Sequence, residues 1–132
     1  MDIIVQREAL LKPLQAVSGV VEKKQTLPIL SNVLLTVKDN QLLLTGTDLE
    51  VELVGFVRLE SMTDAGVTTV SARKLFDICR ALPEGAMLRL SMEKNHLVVR
   101  AGESCFMLNI LPPNDFPSLE DTDYAVEFSV KQ

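Results

Sequence analysis

The chain has no long uninterrupted hydrophobic run, although 47% of its 132 residues are hydrophobic. No stretch approaches the roughly 20 apolar residues that a membrane-spanning helix needs, so we predict a protein with no membrane partner. The N-terminal residues lack the basic start and the small-residue cleavage site of a secretory signal. The length is typical of a single globular domain with a real hydrophobic core.

Cysteine and histidine are also scarce: the chain has two cysteines, Cys79 and Cys105, and one histidine, His96. Two cysteines do not make a disulfide framework, which favours a cytoplasmic protein with reduced thiols. The three residues lack the spacing of a metal site or a thiol catalyst, and Cys79 falls on the apolar side of a predicted helix. We therefore predict that these three residues hold no metal or cofactor and supply no catalytic nucleophile.

The chain does contain an internal repeat, which constrains architecture more than any single motif does. Two helical patterns begin 65 residues apart, after Val5 and after Val70. Their apolar positions are Leu10, Leu11, Leu14 and Val17 in the first, and Leu75, Phe76, Cys79 and Leu82 in the second. A similar hairpin sequence follows each helix, NQLLL at 40–44 and NHLVV at 95–99. A repeated scaffold without an obvious catalytic motif usually works through shape, assembly or surface charge.

The periodicities predict an α+β domain made of a duplicated unit, in which a strand and a helix precede three further strands. The first unit has a strand at 3–5, a helix at 6–17 and strands at 31–37, 41–45 and 49–59. Pro13 should bend that helix or shorten its first part, and Ser18 and Gly19 should end it. After a loop at 60–66, the second unit has a strand at 67–70, a helix at 71–82 and strands at 87–92, 96–100 and 104–110. We expect the two helices to lie side by side on one face of an antiparallel sheet.

Charge is distributed unevenly along the chain, whose formal net charge is −5. The segments 6–24 and 71–82 each carry a net charge of +2, so the rest of the chain carries −9. Basic helices on an acidic body can produce a local positive field. Arg73, Asp77 and Arg80 are spaced to share one face of the second helix. That face could be an ordinary solvated surface, or it could contact nucleic acid or an acidic protein partner.

Three carboxylates, Asp48, Glu50 and Glu52, alternate with apolar residues, Asp48 directly before the predicted strand at 49–59 and the other two within it. Such a set could bind a metal ion for phosphoryl transfer. The alternation fits equally well a strand with one buried face and one solvent-exposed face. We prefer the second interpretation and keep a metal-dependent nuclease or transferase as an alternative.

Five stretches, in order along the chain, carry a resemblance to a known family. They are REALLKPL at 7–14, TLPIL at 26–30, LTGTDLE at 44–50, ARKLFDICR at 72–80, and LP at 111–112 with DFP at 115–117. In these stretches the chain resembles the N-terminal domain of the bacterial DNA sliding clamp, the beta subunit of DNA polymerase III. The resemblance implies the DNA-clamp fold, with residues 1–122 as the N-terminal domain. Residues 123–132 would be a connector and the first strand of a missing second domain, and the chain would be a fragment of a longer protein.

The resemblance also implies a function. The family's subunit is built of three such domains, and two subunits close head to tail into a homodimeric ring around duplex DNA. Helices line the hole, and the ring acts in DNA replication as a non-catalytic processivity factor. DNA polymerase III and the clamp loader would bind through the full-length protein. Contacts to DNA would be made to phosphates, without reading the bases.

The same resemblance assigns candidate site residues. The predicted DNA-binding residues are Arg73, Lys24, Lys12, Arg80 and Arg7. The predicted dimer-interface residues are Phe106, Leu108 and Lys74, because in the family the edge of the last long strand pairs with the other subunit. Alternation along that strand, taken alone, favours the core for Phe106 and Leu108. A protein-interaction module that binds an acidic partner other than DNA is the remaining alternative.

Overall fold

The computed structural model describes residues 1–21 and 28–117. Its strands are β1 (Asp2–Gln6), β2 (Asn32–Lys38), β3 (Gln41–Thr47), β4 (Glu52–Arg58), β5 (Ser61–Asp64), β6 (Gly66–Ser71), β7 (Met87–Glu93), β8 (His96–Ala101) and β9 (Ser104–Leu111). The helices are α1 (Arg7–Val21) and α2 (Ala72–Ala81), and short 3₁₀ helices span Pro28–Ser31 and Pro113–Asp115. None of these helices is long and apolar enough to cross a bilayer. The connector and strand predicted at 123–132 lie outside the described residues.

The described strands form one antiparallel sheet in the order β4-β3-β2-β6-β9-β8-β7-β1-β5. This order confirms the duplicated unit, because β1-α1-β2-β3-β4 is repeated as β6-α2-β7-β8-β9. The opening strand of each unit pairs with the hairpin of the other unit: β1 lies beside β7, and β6 lies beside β2. The two halves are therefore interlocked by backbone hydrogen bonds and form one domain.

A buried polar link joins the halves at the centre of the sheet. The hydroxyl of Thr69 on β6 donates to the carbonyl of Leu111 at the end of β9, at 2.8 Å. The same oxygen accepts a hydrogen bond from the side-chain amide of Asn32 at the start of β2, at 3.0 Å. Thr69 is fully buried, so each of these polar groups depends on the others for its hydrogen bonds.

The two helices pack against each other and cover one face of the sheet, as predicted. They run antiparallel, because Arg7 at the start of α1 contacts Cys79 near the end of α2. Ser71 caps α2 by accepting a hydrogen bond from the backbone N–H of Lys74, at 3.2 Å. The residues that the helices bury are Leu10, Leu14, Val17, Ser18 and Val21 on α1, and Ala72, Leu75, Ile78 and Cys79 on α2.

The first helix is longer than the sequence predicts. It runs without interruption from Arg7 to Val21, so the predicted short first portion and the predicted end near Gly19 are wrong. Pro13 removes one helical hydrogen bond, but tertiary packing outweighs this local cost. Gly55 on β4 lets Pro13 of α1 lie close to the sheet, because a Cβ placed at Gly55 would lie 2.9 Å from the Cβ of Pro13.

Two predictions about the strands are also wrong. The third strand of the first unit begins at Glu52 and not at Leu49, because Asp48 forms a turn: its Oδ1 accepts the backbone N–H groups of Glu50 and Val51 at 2.9 and 2.8 Å. Leu49 and Val51, expected on the buried face, are 51% and 54% exposed. The predicted loop at 60–66 contains β5, which pairs with β1. This short, mostly exposed strand carries no apolar alternation that would mark it in the sequence.

Candidate nucleic-acid interface

The exposed face of α2 carries two arginines with a carboxylate between them. Asp77 Oδ1 lies 3.5 Å from Arg73 Nε and 3.7 Å from an Arg80 guanidinium nitrogen. All three side chains are about half exposed to solvent, at 59%, 61% and 48% for Arg73, Arg80 and Asp77. The structure therefore brings together the predicted cationic residues of α2, on the helix face that points away from the sheet.

A surface depression separates this face of α2 from α1, and we call it the interhelical notch. Its volume is about 270 Å³, and it is lined by Gln15, Ser18, Gly19, Arg73, Phe76 and Arg80. The guanidinium carbon of Arg80 lies 5.2 Å from the centre of the Phe76 ring, a distance at which cation and ring attract each other. Sequence reasoning missed the α1 side of the notch, because Gln15, Ser18 and Gly19 have no charge and fit a simple amphipathic helix.

Lys12 belongs to the same exposed layer of helices. It is exposed on α1 and lies one turn before Gln15, which lines the notch. Lys24 lies outside the described residues. Of the predicted DNA-binding residues, Arg73, Arg80 and Lys12 thus share one surface of the domain.

Arg7 has a different environment from the other predicted DNA-binding residues. Its Nε donates to the carbonyl of Cys79 at 2.7 Å, it pairs with Glu8 at 2.8 Å, and its side chain is 13% exposed. Glu8 also accepts the backbone N–H of Gly85 at 3.1 Å, and this hydrogen bond, followed by that from Arg7, lowers the pKa of the Glu8 carboxyl. Arg7 and Glu8 therefore join the start of α1 to the end of α2, and the DNA role of Arg7 stays a prediction.

Comparison with known proteins identifies the family. Residues 1–120 match the N-terminal domain of the DNA polymerase III beta subunit. The chain belongs to this family. It is 56% identical, over its whole length, to the beta sliding clamp of Pseudomonas aeruginosa and 53% identical to that of Escherichia coli strain K12. It spans about a third of these relatives, 36% of each.

Solved structures of the family confirm the fold. The DNA polymerase III subunit beta of Pseudomonas aeruginosa superposes with a TM-score of 0.86 at 57% identity, covering 91% of this chain and 32% of that one. The Caulobacter crescentus beta subunit superposes with a TM-score of 0.87 at 40% identity, covering 90% of this chain and 32% of that one. The α+β DNA-clamp fold predicted from the sequence is thus confirmed.

The predicted interface residues of this clamp domain lie around β9. Leu108 is a core residue with 7% exposure, Phe106 is partly buried against the core, and Met107 between them is 64% exposed. Lys74 and Leu108 line one depression of about 200 Å³ beside this strand. β9 pairs with β8 along residues 104–109, while on its other side the described chain pairs only Ile110 and Leu111, with β6. The assignment of Phe106, Leu108 and Lys74 to a dimer interface stays a prediction, and Met107 is the exposed residue that sequence reasoning missed.

The alternative metal site loses its geometric basis. Asp48 and Glu50 lie in the turn before β4, and only Glu52 is on the strand, so the three carboxylates do not share a strand face. Within residues 1–21 and 28–117, no group of three His, Cys, Asp or Glu side chains is placed to hold a metal ion. Burial raises the pKa of the Cys79 thiol to about 11, which disfavours the nucleophilic thiolate.

Proposed function

We propose that this chain is the first domain of a DNA sliding clamp, a non-catalytic protein that encircles duplex DNA and tethers a replicative DNA polymerase. The observation that carries the proposal is the exposed helix layer in a member of the DNA polymerase III beta subunit family. Arg73, Arg80 and Lys12 share that layer, although the chain as a whole is acidic. Cations in this arrangement attract phosphates without reading bases, which suits movement along DNA.

The complete clamp would contain further domains and a second subunit. We propose residues 1–122 as the N-terminal domain and 123–132 as the connector and first strand of the next domain. Within residues 1–21 and 28–117, one side of β9 has no strand partner at residues 104–109, which supports pairing with a second subunit, since an open strand edge invites another chain. A head-to-tail homodimeric ring acting in the cytoplasm, with DNA polymerase III and a clamp loader as partners, completes the proposal.

Retention on DNA circles tests the proposal in the full-length subunit that carries this domain. A ring loaded onto a nicked circular plasmid should stay bound during gel filtration and should be lost once the plasmid is linearised, because a ring can slide off ends. Equal retention on circles and linear DNA would indicate a simple DNA binder. Failure to bind either would indicate a module for another acidic partner.

A pair of charge variants tests which face meets the DNA. Arg73→Gln with Arg80→Gln should weaken DNA binding by the domain about tenfold or more at low salt, because two phosphate contacts are lost. Lys38→Gln with Arg58→Gln is the matched control. Both of these residues are exposed and pair with Gln41 across β2, β3 and β4, on the face opposite the buried Val37 and Val57. Equal effects of the two double variants would contradict the proposed orientation.

A further inference from the structure

The charged groups at the interhelical notch form a competing set. Two guanidinium groups, of Arg73 and Arg80, border the notch, and both lie within 4 Å of the Asp77 carboxylate. A carboxylate and a phosphate oxygen are alternative acceptors for the same arginine donors. An approaching phosphate must therefore share these donors with Asp77 or displace it.

The ion pairs that Asp77 makes are weak enough for such an exchange. The two contacts, at 3.5 and 3.7 Å, are long for charge-assisted hydrogen bonds, and the three side chains are about half exposed. Ion pairs of this kind contribute little to stability, because water screens them and because ordering the side chains costs entropy. Asp77 can thus release these two contacts without disturbing the fold.

Ser18 gives the notch a second, independent feature. Ser18 lines the notch from α1 and is 5% exposed, and its hydroxyl has no hydrogen-bond partner among the described residues. Buried hydroxyl groups are normally hydrogen-bonded. The Ser18 oxygen itself has less than 1 Å² of accessible surface, so it would reach a ligand atom in the notch by rotation of the side chain about its Cα–Cβ bond. The adjacent Gly19 leaves space, because a Cβ added there would meet no atom within 4 Å.

We propose that the interhelical notch seats one backbone phosphate of duplex DNA, and that Asp77 competes with this phosphate for Arg73 and Arg80. The competition makes each contact short-lived, so that the domain holds DNA by charge without anchoring at one position. This inference rests on the proposed function and adds to it a specific site and a role for an acidic residue on the DNA face.

The decisive variant is Asp77→Asn, which removes the competing charge and keeps the side-chain shape. Affinity of the 132-residue chain for a short duplex at low salt, measured by NMR titration, should rise roughly three- to fourfold, as expected for removing one like charge about 5 Å from a phosphate in water. The matched control is Asp64→Asn. Asp64 is exposed on β5, an edge strand of the sheet, and does not line the notch, so it carries the same charge change away from the proposed site. Equal affinities for the two variants would overturn the role of Asp77.

Ser18→Ala tests the phosphate site that we propose in the interhelical notch. The variant should lower duplex affinity while the melting temperature stays the same or rises, because no hydrogen bond within the described structure is lost. In the wild-type chain, the amide signals of α1 and α2 around the notch should shift with the duplex. Inorganic phosphate should shift the same signals only at far higher concentration, and an equal response to both would indicate a site for free phosphate.

The outcomes separate this inference from the proposed function. If the wild-type chain binds no duplex at low salt and the full-length subunit is not retained on circles, the proposed function fails. If the wild-type chain binds duplex but Ser18→Ala binds equally well and Asp77→Asn matches Asp64→Asn, only the phosphate seat fails.

Discussion

Thr68 and Thr69 are neighbouring buried threonines on β6, but their hydroxyl groups have different surroundings. Thr69 donates to the Leu111 carbonyl and accepts from the Asn32 amide, whereas the Thr68 hydroxyl has no partner among the described residues. Thr69→Val should cost about 1–3 kcal/mol of unfolding free energy, because it leaves two buried polar groups unsatisfied. Thr68→Val should be neutral or stabilise by up to about 1 kcal/mol. Urea denaturation of both variants measures the difference, and equal losses would contradict this reading.

Glu8 links stability to pH. Its carboxyl accepts the Gly85 N–H and pairs with Arg7, and both contacts lower its pKa in the folded state from the ordinary value of 4.5. Its contribution is therefore fully present above pH 4.5 and is lost as the pH falls through the lower folded-state pKa. In Glu8→Gln the unfolding free energy should be lower at neutral pH and fall less steeply below pH 4.5 than in the wild type. Urea denaturation from pH 7 to about pH 3 tests this, with the exposed Glu84→Gln as control.

At the scale of elements, the position of α1 depends on glycines in the sheet beneath it. A Cβ at position 46 would lie 2.6 Å from a Val17 methyl, and one at position 55 would lie 2.9 Å from Pro13. Gly55→Ala should therefore destabilise the domain by about 1–3 kcal/mol, because the rigid proline ring cannot move aside. Gly19→Ala, within α1 and in open space, should stabilise by up to about 1 kcal/mol. Thermal unfolding measures both, and a tolerated Gly55→Ala would show that α1 can shift on the sheet.

Strand β9 presents alternate residues to two environments. Leu108 lies in the core and Met107 is exposed. Leu108→Ala should cost about 2–5 kcal/mol even in the isolated domain, since it leaves a cavity. Met107→Ala should change the unfolding free energy by less than about 0.5 kcal/mol and is the cleaner probe of a subunit interface. If Met107→Ala dissociates the proposed subunit dimer while the domain stays folded, the subunit contact lies on the exposed face of β9. If only Leu108→Ala dissociates the dimer, the subunit contact lies on the side of β9 that faces the core.

At the scale of the whole molecule, an acidic protein presents a cationic layer of helices. Its DNA affinity should be weak and should decrease as the salt concentration rises, with the logarithm of affinity falling by about 0.9 per phosphate contact for each tenfold increase in salt. Lys12→Gln should reduce this slope by about one contact, and Lys38→Gln on the opposite sheet face should leave it unchanged. Fluorescence anisotropy with a labelled duplex at several NaCl concentrations measures the slope. A slope independent of Lys12 would remove that residue from the proposed DNA surface.

Local patterns predicted much of this architecture. The apolar spacing from Leu75 to Leu82 predicted a helix at 71–82, close to the observed α2, because periodicity depends only on neighbouring residues. The Ser71 cap is a feature that only the structure shows. The same order of helix and hairpin patterns, repeated 65 residues apart, predicted the duplicated unit. Patterns failed where distant contacts compete with local preference. α1 continues through Pro13 because β4 packs against it, and β5 exists because β1 offers a free edge.

The candidate site also combines features that the sequence predicts with features that only the tertiary structure shows. The sequence by itself determined that Arg73, Asp77 and Arg80 share one helix face, since helical spacing alone puts them there. Only the tertiary structure decided that Ser18 and Gly19 of the other helix complete a notch beside them, and that Arg7 is occupied at the end of α2. The physical reason is that charge and periodicity are local properties of the chain. The pairing of surfaces across helices depends on how both of them pack on a shared sheet.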